Sequence, residues 1–401
     1  MPWQETCVVD ERMRFIVEFS SGDYSMSELC NCYKISRRTG YKWLARYAQD
    51  GPCGLQDQSR APHSHPHAVT EEVRSAILKI KSRFVFRGAH KIDWQLRREY
   101  PRWDHYPAKS TIGELLKNEG LIFKKRRVRK ASPSILPLTN GLYSNDVWCV
   151  DFKGHFKTDD GCRCNPLTIT DHTSRYLLCC RHVDKVGYDA VKRQFGRVFR
   201  EYGLPLVIRS DNGLPFSSRG IAGISSLSAW WIRLGIHPER IAPGKPQQNG
   251  RHERMHATLK QHTASPPAAN LIFQQKRFDE FIREYNYLRP HESLNMKIPS
   301  VIYTPSCRRL PSKLSDVEYA SSFIVRKVAE RGQVFISGRE LFISECLCGQ
   351  YIGLEKIEEH KSKLWYCNYE LGTFDHKTWR IEQAKPTPLS AGVNPCTVDI
   401  T

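Results

Sequence analysis

Three acidic residues, Asp151, Asp211 and Glu253, stand where an unpaired carboxylate is unusual. Asp151 lies between Val150 and Phe152 in DVWCVDFKGHF, and a charge among apolar strand residues is unfavourable unless it is paired or used. Asp211 follows the apolar stretch LPLVIRS at the turn DNG, and Glu253 begins a helix directly after the NG of PQQNG. Because ligands bind at strand ends in α/β folds, we expect the three carboxylates to converge at one edge of a sheet.

Carboxylates that converge repel one another, and their pKa values rise. Mg²⁺ prefers carboxylate oxygen and retained water, so it removes that conflict. Two such ions suit in-line displacement at a phosphodiester, where one activates the attacking oxygen and the other stabilises the leaving oxygen. The sequence therefore predicts a site for two Mg²⁺ ions held by Asp151, Asp211 and Glu253, with Mn²⁺ able to replace Mg²⁺. The basic residues around Glu253 would hold the polyanion that is cut.

Each acid also has a structural interpretation. Asp211 in SDNG has the composition of an Asx-type turn. Glu253 has Arg251 and Arg254 beside it as surface ion-pair partners. Asp171 in ITDHTS is a further candidate for the site, although its turn context favours a structural use.

Size and charge limit the function classes. At 401 residues the chain is long enough for two to four domains, and its net charge of +19 indicates a polyanionic partner. No apolar run has the length of a membrane span, and the N-terminus lacks the apolar region of a signal peptide. We therefore expect double-stranded DNA as the partner, no membrane association, and a cytoplasmic protein that joins the nucleoid when it binds DNA.

Residues 1–50 predict a helix-turn-helix unit. A capping box at Ser25 opens one short helix and Ser36 caps a second. The second helix carries the candidate DNA contacts Arg37, Arg38, Lys42 and Arg46 at roughly helical spacing. A solvated basic face on an ordinary helical bundle is the alternative.

The chain is predicted to be multidomain: N-terminal all-α helix-turn-helix units, an α/β core and a small C-terminal β-barrel. The boundaries that we predict are a helix-turn-helix domain at 1–50, a linker at 51–69, a second helix-turn-helix domain at 70–123, a basic linker at 124–140, a catalytic core at 141–305, a small barrel at 315–385 and a tail at 386–401. The basic linker contains KKRRVRK, and we expect Lys125, Arg126 and Arg127 to lie along DNA phosphates unless the run is only a solvated tether.

Three segments resemble the catalytic motifs of one known family. WCVDFKGHF, IRSDNGLPF and PGKPQQNGRHERMHATLK are similar, in this order, to the motifs of bacterial insertion-sequence transposases of the DDE superfamily, whose core is of the retroviral-integrase type. The resemblance implies a ribonuclease H-like core, with Asp151, Asp211 and Glu253 as the catalytic and metal-binding acids. It also implies a DNA contact at Lys260, seven residues after Glu253, and an SH3-like form for the C-terminal barrel.

The function that the resemblance implies is that of a transposase. Such a protein binds the terminal inverted repeats of an insertion sequence, cleaves a strand and joins the freed end to target DNA, acting at least as a dimer because two ends are joined. The alternatives are a catalytically silent DNA-binding regulator and a ribonuclease H-like nuclease. This sequence departs from the family in the 41 residues between Asp211 and Glu253, which exceed the usual spacing. We interpret the extra length as an insertion in the Gly/Ser-rich segment FSSRGIAGISSLSAWW.

Overall fold

The computed structural model describes residues 7–59, 69–122, 138–218, 220–242 and 245–384, without the side chains of residues 246 and 247. The chain divides into two compact units, residues 1–70 and 71–401. Within the described ranges, none of the helices combines the length and the apolar character that crossing a bilayer requires.

The first unit contains three helices around one small core. Their bounds are α1, Val8–Ser20; α2, Met26–Cys32; and α3, Arg37–Asp50. The predicted capping box is present at Ser25, and the Ser36 hydroxyl accepts a hydrogen bond from the Thr39 backbone N–H at 3.2 Å. Trp43 of α3 packs into the core with Phe15 and Ile16 of α1. The two capped helices expected for residues 1–50 are therefore formed.

The linker expected at residues 51–69 begins later than the sequence suggests. Residues Gly51–Leu55 form a 3-10 helix, and Leu55 is fully buried in the core of the first unit. The Arg12 guanidinium donates to the Leu55 carbonyl at 2.7 Å. The buried leucine side chain thus holds the start of this Gly- and Pro-containing segment against the helices. The free energy gained by burying it exceeds the preference of the Gly and Pro residues for an unattached loop. Residues 60–68 lie outside the described ranges.

The second unit opens with three helices that pack through apolar side chains at helical spacing. They are α4, Glu71–Arg83; α5, Ala89–Glu99; and α6, Lys109–Asn118. Ile77 and Ile80 of α4 meet Ile92 of α5 and Ile112 of α6 in one buried cluster. The basic linker that follows, with Lys125, Arg126 and Arg127, falls in residues 123–137, outside the described ranges.

A five-stranded mixed sheet forms the centre of the second unit. Its elements and those around it are β1, Val147–Phe152; β2, Phe156–Lys157; β3, Arg163–Cys164; β4, Pro166–Asp171; β5, Leu177–His182; α7, Tyr188–Tyr202; β6, Val207–Ser210; α8, Ser226–Arg233; β7, His237–Arg240; α9, Gly250–Thr263; α10, Leu271–Arg283; and α11, Pro299–Ile302. The strand order is β5-β4-β1-β6-β7, and β2 pairs only with β3. Strands β5, β4 and β1 run antiparallel, while β1, β6 and β7 run parallel. This is the α/β core that the sequence predicts.

The C-terminal strands do not form the predicted closed barrel. They are β8, Phe323–Lys327; β9, Gln333–Ile336; β10, Arg339–Phe342; β11, Tyr351–Glu358; β12, Lys361–Tyr366; β13, Tyr369–Asp375; and β14, Arg380–Gln383. Five of them pair in the order β14-β13-β12-β11-β8, and β9 pairs with β10 in a separate hairpin. Among the described strands, β14 and β8 remain the two outer strands of the larger sheet.

The physical reason lies in what covers the apolar face of these strands. Leu354 and Phe374 of the C-terminal sheet share one buried cluster with Ile224 and with Ile232 of α8. The β9–β10 hairpin belongs to the same cluster, so the sheet buries its apolar side chains against this hairpin and against the α/β core without closing on itself. The segment between Asp211 and α8, interpreted above as an insertion, supplies part of that contact.

A buried ion pair fastens β6 to β7. The Arg209 guanidinium donates to the Glu239 carboxylate at 2.6 Å and to the Thr139 carbonyl at 2.6 Å. Glu239 also accepts a hydrogen bond from the Thr139 backbone N–H at 2.7 Å. Both charged side chains are almost entirely excluded from solvent. Removing either partner leaves a buried charge without compensation, which costs far more than losing a surface pair.

We expect Glu239→Ala to lower the free energy of unfolding of the second unit by about 3–5 kcal/mol, since Arg209 would stay buried without its carboxylate. Glu358→Ala, which removes the acid of an exposed pair with Lys361, is the matched control and should cost less than about 1 kcal/mol. The measurement is the denaturant midpoint followed by tryptophan fluorescence. Equal midpoint shifts in the two variants would show that the buried pair carries no special weight.

Candidate active site

Asp151 lies on β1 where the strand changes from apolar to polar. Trp148 and Val150 point into the large core shared with α7, whereas Val147 and Cys149 point to the opposite face. Successive side chains of a strand alternate between faces, so Asp151 shares the face of Val147 and Cys149. Its side chain retains 23% of its accessible surface. The carboxyl group is therefore held half-buried at the end of the central strand.

Asp211 reaches the same edge of the sheet from the neighbouring strand. Strand β6 runs parallel to β1, with Val207 opposite Val147 and Arg209 opposite Cys149. One alternation step beyond Arg209 places Asp211 on the face of Asp151. One Asp211 carboxylate oxygen also accepts a hydrogen bond from the Gly213 backbone N–H at 3.2 Å, so the predicted Asx turn is present. Forming that turn does not prevent the charge of Asp211 from acting on Asp151.

Glu253 lies in the first turn of α9 and is exposed. The surface ion pair considered above is not formed: among the described residues, Arg251 directs its guanidinium to the His172 ring at 2.7 Å, and no ion pair within 4.0 Å joins Glu253 to Arg251 or Arg254. Glu253 instead acts electrostatically on Asp151.

Asp211 and Glu253 lie close enough to Asp151 for their charges to act on its carboxyl group. Burial first, then the negative charge of Asp211 and to a smaller extent that of Glu253, raises the pKa of Asp151 to about 7. A backbone hydrogen bond from Phe152 and the charge of Lys153 lower it only in part. Repulsion of this kind marks carboxylates that share a site and is typical of functional positions. Asp211 and Glu253 thus act on Asp151 through their charges, while the role of the three acids as one catalytic site remains a prediction.

The donor set suits a hard divalent cation, but the side chains are not arranged around one. Across the described part of the chain, no group of three or more His, Cys, Asp and Glu side chains is placed to hold a metal ion. Carboxylate oxygens are nevertheless the ligands that Mg²⁺ prefers, and burial together with the charges of Asp211 and Glu253 raises the pKa of Asp151 more than Lys153 lowers it. A cation at this edge would relieve that repulsion, so the chemistry of the residues fits Mg²⁺.

Asp171 has the structural role that its turn context favours. It is 1% exposed at the end of β4 and accepts hydrogen bonds from the Asn145 N–H at 2.7 Å and from the Ser174 N–H and hydroxyl at 2.8 and 2.6 Å. Burial raises its pKa, and these donors oppose the rise. A carboxylate with all of these donors fixes the β4–β5 turn.

Two histidines beside Glu253 were missed as individual residues. His252 and His256 are buried against β4 and contact the Thr168 hydroxyl through their Nε2 atoms at 2.7 and 2.6 Å. Burial lowers the pKa of His256 to about 3 and that of His252 well below its usual value, so both rings are neutral. Their spacing of four residues, beside buried Met255 and Leu259, is the sequence signal that could have found them.

The predicted DNA-contacting residues that lie in the described ranges are mostly on the surface. Arg37, Arg38 and Lys42 are exposed on α3, and Lys260 is exposed on α9. Arg46 is half-buried, because its guanidinium lies 5.1 Å from the Trp43 ring centroid and donates to the Gln58 side chain at 3.0 Å. These DNA contacts remain predictions.

The raised pKa of Asp151 has a measurable consequence for stability without metal. The folded-state pKa lies above the ordinary value of 3.8, so the folded protein favours the protonated form of Asp151. The stabilising contribution of this carboxyl is therefore complete below pH 3.8. It is lost as the pH rises through about 7, because the folded protein must then hold a charged carboxylate. Asp151→Asn has no such charge, so in EDTA it should be the more stable protein at pH 8, with the advantage disappearing towards pH 4.

At about 1.4 kcal/mol per pKa unit, the advantage of Asp151→Asn should reach a few kcal/mol. Denaturant midpoints measured from pH 4 to pH 8 give the comparison. Glu358→Gln, which removes one charge at an exposed site, is the control for general charge effects. Parallel pH profiles for wild type and Asp151→Asn would mean that the pKa of the Asp151 carboxyl is not raised in the folded protein.

Family models match both parts of the chain. Two models described as an integrase core domain match residues 143–246 and 234–299. A helix-turn-helix domain model matches residues 11–63, and a homeodomain-like domain model matches residues 39–116. These matches confirm the helix-turn-helix character of the N-terminal region and the integrase-type core.

Similar proteins come from bacterial insertion elements. The chain is 25% identical over 264 residues to the insertion element IS476 uncharacterized 39.2 kDa protein of Xanthomonas euvesicatoria, covering 64% of this chain and 72% of the relative. It is 26% identical over 224 residues to the insertion element IS407 uncharacterized 31.7 kDa protein of Burkholderia multivorans, covering 55% of this chain and 75% of the relative.

Among solved structures, the HTLV-2 integrase catalytic core domain in complex with magnesium is 18% identical, with a TM-score of 0.32, over 41% of this chain and 99% of that one. The simian T-cell lymphotropic virus intasome in complex with PP2A regulatory subunit B56 gamma is 14% identical, with a TM-score of 0.37, over 77% of this chain and 98% of that one. The family models give the chain helix-turn-helix segments ahead of an integrase core domain, and with the insertion-element relatives they support its resemblance to the bacterial insertion-sequence transposases of the DDE superfamily.

Proposed function

We propose that the protein binds the terminal inverted repeats of an insertion sequence, cleaves a DNA strand at the element end and transfers that end into target DNA. The single observation that carries the proposal is the half-buried Asp151 carboxyl at one edge of the mixed sheet, on which the negative charges of Asp211 and Glu253 both act. Such an arrangement is unfavourable in a purely structural role and suits a polynucleotidyl transferase.

In this proposal Asp151, Asp211 and Glu253 would hold two Mg²⁺ ions, which Mn²⁺ could replace. The bound ions would activate the attacking oxygen and stabilise the leaving oxygen at the phosphodiester. The chain's own part is to hold the three carboxyls on rigid elements and the DNA backbone beside them. Lys260 is exposed on the helix of Glu253, two turns further along, and in this proposal it would contact a phosphate.

DNA recognition would come from the first unit. Arg37 and Arg38 open α3 and are exposed, and the N-terminal residues of a recognition helix are the ones that reach base edges in the major groove. The basic linker, with Lys125, Arg126 and Arg127, and the C-terminal strands would add phosphate contacts, for which β8 offers exposed Arg326 and Lys327. Because two element ends are joined, the active complex is at least a dimer located on the nucleoid.

Asp151→Asn should abolish strand cleavage and joining while leaving binding to the element end nearly unchanged, because it removes a metal ligand but no DNA contact. The assay uses purified protein, Mg²⁺ and a labelled duplex that carries the element end. For the wild type, nicking followed by joining supports transposition, cleavage without joining supports the nuclease alternative, and binding without either supports the regulator. Full activity of the variant would remove Asp151 from the proposed site.

Arg38→Ala should weaken binding to the element end and reduce the slope of log affinity against log salt by about 1, since one phosphate contact or base contact is lost. The matched control is Arg14→Ala on α1, where the guanidinium lies 3.4 Å from Glu11. Binding is measured by fluorescence anisotropy at several salt concentrations. If both variants bind as wild type does, α3 is not the recognition helix.

A further inference from the structure

A buried set of four polar side chains joins the helix of Glu253 to the strand beside Asp151. It consists of His252, His256, Thr168 and Thr170, and we call it the histidine–threonine clamp. The Thr168 hydroxyl lies 2.7 Å from His252 Nε2, 2.6 Å from His256 Nε2 and 3.0 Å from the Asp151 backbone carbonyl. The Thr170 hydroxyl lies 2.7 Å from His252 Nδ1. All four residues are buried.

The count of hydrogens fixes the roles in this clamp. A hydroxyl has one proton and two acceptor sites, and a backbone carbonyl only accepts. Thr168 therefore donates to the Asp151 carbonyl, and both histidines donate their Nε2–H to the Thr168 oxygen. His252 Nδ1 is then the acceptor for the Thr170 hydroxyl. Both threonine hydroxyls, both nitrogens of His252 and the Nε2 of His256 thus have partners, which makes the contact specific for one position of the helix.

The clamp bears directly on the spacing of the candidate site. Thr168 lies directly opposite Asp151 in the β1–β4 pairing, so its hydroxyl and the Asp151 side chain belong to the same stretch of sheet. His252 immediately precedes Glu253 on α9, and His256 follows it by three residues. A single hydroxyl thus links the strand that carries one acid to the helix that carries another.

In the clamp, neither histidine donates a hydrogen bond to the Asp151 carboxylate. His256 Nδ1 lies 3.8 Å from Asp151 Oδ2, which is longer than a hydrogen bond. With its proton on Nε2, the neutral ring offers this oxygen no donor. The helix is therefore held through the backbone of Asp151, while the carboxylate oxygens stay available to a cation.

We propose that the histidine–threonine clamp is a positioning device that sets the distance between the Asp151 and Glu253 carboxyls and thereby the affinity of the site for divalent cations. The inference rests on the proposed function, because it takes these two acids as cation ligands. His252, His256 and Thr168 act through Asp151 and Glu253 and do not themselves contact the cation. Groups that orient metal ligands in this way typically contribute about 10–100-fold to metal affinity.

The test is Mn²⁺ binding to the full chain without DNA, measured by calorimetry and by electron paramagnetic resonance of free Mn²⁺. Thr168→Val keeps the shape of the side chain and removes the hydroxyl, and it should weaken Mn²⁺ binding by about 10–100-fold. Thr168→Ser keeps the hydroxyl and should bind Mn²⁺ as wild type does. Folded protein that carries Thr168→Val and binds Mn²⁺ with wild-type affinity would overturn the proposal.

A second pair of variants covers the case in which Thr168→Val does not fold. The side-chain amide of His256→Gln can reach the place of Nε2, whereas that of His256→Asn reaches only the place of Nδ1. We expect Mn²⁺ affinity to be restored towards wild type by glutamine and not by asparagine. A purely packing role for the ring would give both variants wild-type affinity, and that result also contradicts the proposal.

Asp151→Asn separates failure of the clamp from failure of the site. If Asp151→Asn abolishes Mn²⁺ binding while Thr168→Val leaves it unchanged, the acids bind the cation and the clamp proposal is wrong. If Asp151→Asn binds Mn²⁺ as wild type does, the proposed metal site itself is wrong, and the clamp proposal falls with it.

Discussion

The half-buried carboxyl of Asp151, on which two further acids act at one edge of the α/β sheet, is the constraint on which the candidate site depends. Asp151 is half-buried, and its pKa of about 7 reflects burial first and the charge of Asp211 next. Charge in such a place lowers stability unless a counter-charge is present. Asp151 and Asp211 lie at the ends of neighbouring strands, and Glu253 stands on a helix whose opposite face is buried. Rigid elements therefore keep together groups that would otherwise separate.

The buried charged groups behind this edge, in contrast, are paired or hydrogen-bonded. Asp171 receives three hydrogen bonds, and Arg209 is paired with Glu239. Buried polar groups are usually satisfied in this manner, so the contrast with Asp151 is informative. An acid whose donors are all supplied by its own turn has a structural role. An acid that faces other acids has a role that its own fold does not explain.

Features that depend on residues close together in the sequence could be predicted, and features that depend on residues far apart in the sequence could not. The alternation around Asp151, the caps at Ser25 and Ser36 and the mixed-sheet order are local patterns, and the structure has them. His252 was hidden because a histidine on a basic helix looks solvent-facing, and its partner Thr168 lies 84 residues away in sequence. Burial of that kind is a tertiary property and leaves only a weak periodic signal in the helix.

The prediction of a closed barrel was wrong for a similar reason. Alternating apolar residues show that a strand has a face to bury, but they do not show what will cover it. Here the cover comes from the β9–β10 hairpin and also from α8 and the residues just before it, which precede the C-terminal strands by about a hundred positions. The sequence therefore predicts the strands and their alternation, while the choice between closing and docking depends on another element.

The same contact explains the long spacing between Asp211 and Glu253. The segment before α8 is not a loop without tertiary contacts, because Ile221 and Ile224 are buried with the C-terminal strands. Arg240 of β7 donates to the Ala222 carbonyl at 2.6 Å, and a side chain at Gly223, which has a φ of +63°, would collide with the same guanidinium. The extra residues thus form a folded connector, fastened to β7 on one side and to the C-terminal sheet on the other. An insertion built in this way lengthens the chain between two acids while both ends of the connector remain anchored, so the sheet edge that holds Asp151 and Asp211 does not have to change.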